Sequence, residues 1–558
     1  MSVRQLLFPT DPRMRRRLRQ IAVVISHHGL GLLAEQLGLS PLLGRRSTTR
    51  QRPLDVPTTA QHLRQALEEL GPTFIKLGQL LSTREDLLPT PYITELALLR
   101  DRLPPIPTDQ IVATIERSLG RPLTQLFAHF DPTPLASASL GQVHAARLPS
   151  QLPVAVKVQK PGIREQIEED LKLLTTLARI AQRYAPLAAA YDLPALAEEF
   201  ARAIRMELDY RHEGKNAETF RNFFRHSPDL VVPTVYWDYT TEQVLTLERI
   251  HGIPIDDIAA LDTAGIDRHA LAQRAARIVL TAILQHGFFH ADPHPGNFAV
   301  LKDGRIVAYD FGLVGHLTPE MRDTLLDGLV GAVRGDLDLV IDALQRLGIL
   351  HHSVDRGALR RDLAYLLDRY AGLPIGSYQI QHIIADAFTI MRRHHLVLPS
   401  ELALLLKTIA THEAVARHID PSFTPLPVAE PIVRQLLVER YRPEYWFPRI
   451  GTMVNDTIRL MRDFPRRLDR LLWQFEHADL EVTMHIAEYP RLVHDLRIMI
   501  NRLIVALLIT AGTVAFGLLV AAARPAWLSQ ALTWILITLG FFLLVAALAL
   551  THEQRHRR

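Results

Sequence analysis

The chain has 558 residues, 48% of them hydrophobic, with 63 Lys and Arg against 59 Asp and Glu and no cysteine. That length exceeds one ordinary core and predicts about two or three structural units. A net charge of +4 argues against nucleic acid as the main partner, and the lack of cysteine excludes disulfides, Cys-ligated zinc and thiol catalysis.

In chain order, residues 1–55 form a basic segment. Arg13, Arg15, Arg16, Arg17 and Arg19 precede an apolar stretch, Ile21–Ile25. His27 and His28 then break the apolar run and no small-residue cleavage site follows, which rules against a signal peptide. Two readings stay open: an amphipathic helix lying on an anionic membrane surface, or a soluble helix with a solvated basic face. Residues 45–60 read as a polar linker. The helical extension, 56–130, is interrupted at Gly71-Pro72, at Leu88–Pro91 and at Pro104, Pro105 and Pro107, where proline and glycine punctuate the pattern.

Residues 131–250 read as a small mixed lobe. Strand-like stretches fall at 142–148, 153–159 and 231–250, the last with a turn near Tyr239–Glu242, and helices at 163–185 and 193–225. Residues 251–440 read as a larger helical lobe with one hairpin, Phe298–Leu301 and Arg305–Tyr309, turning at Asp303-Gly304. A helical connector, 441–500, leads to residues 501–551. There Leu503–Ala523 and Ala531–Leu550 carry no charge, and each is long enough as a helix to cross ~30 Å of hydrocarbon. The basic residues Arg502, Arg555, Arg557 and Arg558 flank the pair, while the loop holds Arg524 alone. A transmembrane hairpin with both ends in the cytoplasm is expected.

Four polar positions in the middle of the chain carry chemistry. Asp310-Phe311-Gly312 follows the second hairpin strand, Asn297 lies thirteen residues upstream, and Asp292 five before that, within His290–Asn297. Asn297 and Asp310 are hard oxygen ligands suited to Mg²⁺ bridging to phosphates, and Asp292 is placed to orient or deprotonate a nucleophile. His290 and His294 could instead hold a transition metal or orient the loop by hydrogen bonds. Upstream, Val154, Val156 and Val158 share one strand face, so Lys157 points to the other, where an apolar setting demands an anionic partner. A loop of small residues, Ala136–Val143, precedes it. Helical spacing puts Glu207 on a face with Phe200, Ala203 and Ile204, making Glu207 the first candidate to hold Lys157 and Glu213 the second. Glu248, closing the 231–250 stretch, is assigned to the nucleotide side.

This set resembles the protein kinases, and specifically the UbiB/ADCK family of atypical kinases. The glycine-rich phosphate loop of kinases aligns with Ala136, Ala138, Gly141 and Val143, with alanines at the first two glycine positions, as in that family. Ser137 and Ser139 lie within the aligned loop. Lys76-Leu-Gly-Gln79, Glu207-Leu-Asp209 and His290-Ala-Asp292-Pro-His-Pro-Gly-Asn297 also match its wording. The likeness spans about residues 60–330. It departs at Ser137, where another alanine is usual, and after Gly312, where no A-P-E element follows. Without that element the peptide-docking segment is missing and protein phosphorylation is not expected.

The resemblance implies an α+β, bilobal, kinase-like fold with catalytic Lys157, Glu207 and Asp292, using ATP and Mg²⁺ at a cell membrane. It further implies a role in isoprenoid quinone biosynthesis, with a membrane lipid or quinone precursor and quinone-biosynthesis proteins as partners. It also implies that Lys76 and Gln79 belong to a segment that folds over the site and blocks protein substrates. Two other functions stay open: a small-molecule or protein kinase acting on a hydroxyl, the protein substrate being the less expected, and a nucleotide-binding scaffold without turnover.

Overall fold

The computed structural model describes residues 12–30, 56–84, 86–99, 104–184, 192–350, 354–370, 380–394 and 396–440. The chain divides into two units, Met1–Trp446 and Phe447–Arg558, and all described residues belong to the first. Both uncharged segments, 503–523 and 531–550, lie outside them. Among the described residues no helix is long and apolar enough to cross a membrane.

The described elements begin with four helices, α1 (Pro12–His27), α2 (Val56–Leu70), α3 (Pro72–Leu81) and α4 (Thr90–Leu96). Leu18, Ile21 and Val24 recur at helical spacing on α1 and are buried in one core with Leu67 and Leu70 of α2, Phe74 and Ile75 of α3, and Leu96 of α4. The apolar face of α1 is therefore covered by protein. That corrects the idea of a helix laying this face in a membrane; Arg13, Arg15, Arg16 and Arg19 remain exposed on the other side. Gly71, at φ +94°, and Pro72 at the first turn of α3 make the corner between α2 and α3.

The small lobe follows: α5 (Thr108–Leu119), α6 (Leu123–Leu126), β1 (His129–Ser137), β2 (Gly141–Arg147), β3 (Pro153–Gln159), α7 (Ile163–Tyr184), α8 (Leu193–Glu207), α9 (Tyr210–Phe223), β4 (Leu230–Val231) and β5 (Val244–Glu248). Antiparallel β1-β2-β3-β5 form its sheet. Val154, Val156 and Val158 pack on Ile111 and Ile115 of α5, as their alternation predicts, which leaves Lys157 on the opposite face beside Val143 of β2 and Leu245 of β5.

The stretch 193–225 reads in sequence as one helix, but the structure breaks it at Leu208. Asp209 then caps a new helix, its carboxylate accepting from the Arg211 amide. This displaces the helical phase beyond Glu207 and changes which carboxylate faces Lys157.

The larger lobe contains β6 (Ile253–Pro254), α10 (Ile258–Thr263), α11 (Arg268–Thr281), β7 (Phe288–His290), β8 (Phe298–Val300), β9 (Ile306–Ala308), β10 (Val314–His316), α12 (Pro319–Arg334), α13 (Leu337–Arg346), α14 (Arg356–Tyr370), α15 (Ile380–Arg393), α16 (Ser400–Ile419) and α17 (Leu426–Arg440). The expected hairpin is β8-β9, and Gly304 takes the positive φ its turn needs. Helix α11 ends at Thr281, and the chain passes through one wide turn into β7.

A buried clasp joins the extension to this lobe. Arg84 makes a bidentate pair with Asp86 at 2.9 and 2.7 Å, and both side chains are almost wholly buried. Arg84 donates to the Leu398 carbonyl, and the Leu398 amide donates to Asp86.

Candidate active site

Lys157 is the centre of the site. Its Nζ donates to both carboxylate oxygens of Glu213 at 2.9 and 2.8 Å and to Asp310 Oδ2 at 3.1 Å, and lies 5.2 Å from the centre of the Tyr210 ring. The partner on the helix is therefore Glu213, and the expectation of Glu207 is corrected. The break at Leu208 restarts the helix so that Glu213 is buried on α9 facing β3, while Glu207 ends α8 and pairs with Lys76 of α3.

One face of α9 organises the cleft. Glu213 holds Lys157, Asn216 donates to the Phe311 carbonyl at 2.9 Å, and the Phe220 ring lies 5.2 Å from that of Phe311. Residues at i, i+3 and i+7 share a helix face, so one rigid element fixes both the lysine and the Asp310–Gly312 turn. The Gly312 amide donates to Asp310 Oδ1 at 2.8 Å.

The charges follow from this packing. Burial alone would lower the Lys157 ammonium, but Asp310 and Glu213 outweigh it and hold it well above its ordinary value. Burial, reinforced by the Asp310 charge, pushes the Glu213 carboxyl up to about 7. Asp310 is only partly buried, and Lys157 and the Gly312 amide hold it well below the usual carboxylate range. Two carboxylates crowd one ammonium, and the full negative charge resides on Asp310.

Across the cleft, the Asn297 amide nitrogen donates to the Asp292 backbone carbonyl and to Asp292 Oδ2, each at 3.0 Å. With its nitrogen so engaged, Asn297 is left with its carbonyl oxygen as ligand, the hard donor a Mg²⁺ site uses. His290 Nδ1 accepts from the Asp292 amide and His294 Nδ1 from the Gly296 amide, so both imidazoles serve the loop backbone.

The small-residue loop joins β1 to β2, with the Ala138 amide donating to the Gly141 carbonyl. A Cβ at Gly141 would run into the Tyr210 hydroxyl and the Val158 carbonyl. Ser137 Oγ and Ser139 Oγ are buried and make no hydrogen bond among the described residues, so this loop has polar groups to spare for a ligand. Ala136 is exposed, and Val143 lies opposite Lys157 across the sheet. The Glu248 carboxylate instead accepts from the amide and hydroxyl of Thr234; it is occupied in bracing the lobe rather than presented to the cleft. Gln79 donates to the Leu99 carbonyl.

Sequence reasoning missed Lys407. Burial lowers its ammonium, Asp292 raises it and Lys76 lowers it further, so Asp292 and Lys76 each lie within electrostatic reach of Lys407. A lone lysine inside Leu402–Ile409 of α16 was the available signal. Tyr210 was missed too; burial raises its phenol despite Lys157, and the hydroxyl is buried without a partner among the described residues.

After Gly312 the chain returns at once. Val314–His316 pairs with Phe288–His290, and Thr318 caps α12 by accepting from the Met321 amide. No peptide-docking segment intervenes between 312 and 319.

A lysine locked between a helix carboxylate and an Asp-Phe-Gly aspartate, facing an Asp–Asn loop, defines a kinase-like domain of mixed α/β structure, mostly helical. Residues 98–344 match the ABC1 atypical kinase-like domain and residues 363–424 the UbiB helical domain. The chain is 36% identical to a probable protein kinase UbiB of Xanthomonas oryzae, the match covering 83% of this chain and 86% of that one. It is 37% identical to the uncharacterized protein sll1770 of Synechocystis, over 79% and 76% of the two chains. A solved Rv3197–erythromycin complex from Mycobacterium tuberculosis aligns with a TM-score of 0.47 and 28% identity, over 65% of this chain and 92% of that one. The chain belongs to the UbiB family of atypical kinases.

Proposed function

We propose that this protein binds MgATP between Lys157 and the Asp292–Asn297 loop and hydrolyses it, as an atypical kinase or ATPase supporting isoprenoid quinone synthesis at a membrane. The observation that carries the nucleotide reading is the Glu213–Lys157–Asp310 chain. It presents a buried ammonium for phosphate oxygens beside a strongly ionised carboxylate. Asn297 and Asp310 would hold Mg²⁺, which supplies neutralisation of phosphate charge. Asp292, fixed by Asn297, orients the attacking oxygen, and Lys157 anchors phosphate.

Two features favour water or a small acceptor over a protein. The segment after Gly312 is too short to dock a peptide, and Lys76 of the extension lies within electrostatic reach of Lys407, which also feels Asp292. The quinone role rests on the resemblance to the UbiB family. The membrane role rests on the uncharged segments 503–523 and 531–550, which would cross the bilayer and leave the kinase-like unit on the cytoplasmic side.

Phosphate release from MgATP by the full chain in lipid tests the reading. Release without any phosphorylated peptide, lost in Lys157→Ala, is expected. Phosphate found on an added small-molecule hydroxyl instead of in solution would favour the small-molecule kinase, and nucleotide binding without turnover the scaffold. Alkaline carbonate and high-salt washes test the anchor, since full-length protein stripped by either wash would contradict a transmembrane hairpin.

A further inference from the structure

The N-terminal helix ends in a cluster that the nucleotide site does not use. His27 closes α1, His28 begins the turn after it, and Glu69 lies in the last turn of α2. His27 Nδ1, His28 Nε2 and a Glu69 carboxylate oxygen all lie within 4.8 Å of one another. His28 Nε2 is 2.8 Å and His27 Nδ1 4.0 Å from Glu69 Oε2. Ligand atoms around a tetrahedral ion with bonds of about 2.0–2.1 Å are about 3.3 Å apart, so the observed distances bracket that value.

The electrostatics point the same way. Both helices direct their C-terminal ends here, where the backbone carries partial negative charge and a cation is favoured. The last turn of α2 contains no basic residue. Its Glu68 is matched by Arg64 at 2.8 Å, whereas Glu69 has the two histidines as its ion-pair partners among the described residues. The turn is also fixed in place: His62 Nδ1 bonds the His28 carbonyl at 2.8 Å, and the His28 and His62 rings meet edge-on. His28 and Glu69 are therefore pre-positioned, and the exposed His27 needs only a small swing.

We propose that His27, His28 and Glu69 bind a divalent transition-metal ion of the Zn²⁺ class, with water completing the coordination. Two imidazoles and a carboxylate suit such an ion. The ion fastens α1 to α2, and through the Gly71 corner to α3, the helix that carries Lys76 to its pairing with Glu207.

The test uses the untagged full chain, stripped with chelator and dialysed against Zn²⁺ with excess Mg²⁺ to saturate the oxygen-ligand site. Bound zinc is measured by mass spectrometry, and visible absorption of a Co²⁺-substituted sample reports the ligand field. The parent is expected to bind a stoichiometric zinc that raises its thermal midpoint. His27→Ala and Glu69→Gln should each weaken that binding by at least about 10-fold and abolish the zinc-dependent rise. His27 is exposed and Gln matches Glu in shape, so both variants should unfold like the zinc-free parent; this separates ligation from folding. Zinc affinity and stoichiometry unchanged in both variants, or a parent that binds no zinc at micromolar concentration, would overturn the proposal.

Discussion

Burial alone would lower the Lys157 ammonium, and the two carboxylates reverse that shift. Such a lysine couples energetically to whichever carboxylate it touches, and contacting residues show interaction energies of about 1–3 kcal/mol. A double-mutant cycle on stability with Lys157→Met and Glu213→Gln should give a coupling in that range, and so should one with Lys76→Met and Glu207→Gln. The crossed pair, Lys157 with Glu207, should give about 0.5 kcal/mol or less. A larger coupling for the crossed pair than for Lys157 with Glu213 would contradict the assignment. The placement of Lys157 opposite the valine face and of Asp292 and Asn297 in one loop was legible in the sequence, because strand alternation and loop spacing are local rules. The choice between Glu207 and Glu213 was not, because it depends on a helix break that a continuous apolar period hides.

Acid sensitivity also belongs at this scale. His412 Nε2 is buried without a partner among the described residues, and burial, with His290 nearby, pushes its imidazole down to about 3. The unfolded chain therefore binds a proton near pH 6.5 that the folded chain refuses until about pH 3. The sign follows: stability is full above about pH 6.5 and falls as pH drops through that window, by up to about 1.4 kcal/mol per unit for one such group. Burial lowers His290 as well, while Asp310 and Asp292 partly offset it. Denaturant titrations at pH 6.5 and pH 5 should show a smaller acid loss in His412→Leu than in the parent. Equal losses would show that His412 takes its proton freely in the fold.

At the scale of elements, α9 and the extension do the positioning. Helix α9 sets Lys157 and Phe311 from one face, and its start at the Asp209 cap is the local event that decides which carboxylate enters the cleft. The extension is held at two places far apart in sequence. Arg17 of α1 pairs with buried Asp170 of α7 at 2.7 Å, to which Thr73 also donates, and the Arg84–Asp86 pair grips Leu398. Removing one partner of a buried pair strands the other charge, at a cost of about 3–5 kcal/mol. Asp86→Ala should therefore destabilise the protein by about 3 kcal/mol and expose the chain on either side of Asp86 to limited proteolysis. A change under about 1 kcal/mol with unaltered cleavage would show that the clasp is dispensable. Nothing in the sequence pointed to this contact. An Arg-x-Asp triplet in a polar stretch gives no hint of a partner more than 300 positions away, and burial of charge is decided by tertiary packing alone.

At the scale of the molecule, the two-part layout of a small mixed lobe before a larger helical one was readable from texture: short apolar alternation, then long helical periods. Lys407 was not, because it enters the site from α16, far downstream of every motif. The uncharged C-terminal segments, 503–523 and 531–550, remain the plainest feature of the sequence.

The central claim is that MgATP binds where Lys157, Glu213 and Asp310 meet. Calorimetric titration of the full chain with MgATP, parent against Asp310→Asn, addresses it directly. Charge-assisted contacts in a partly desolvated site carry about 2 kcal/mol or more, so the variant should bind at least about 30-fold more weakly while retaining the fold. MgATP affinity unchanged in Asp310→Asn would contradict the account.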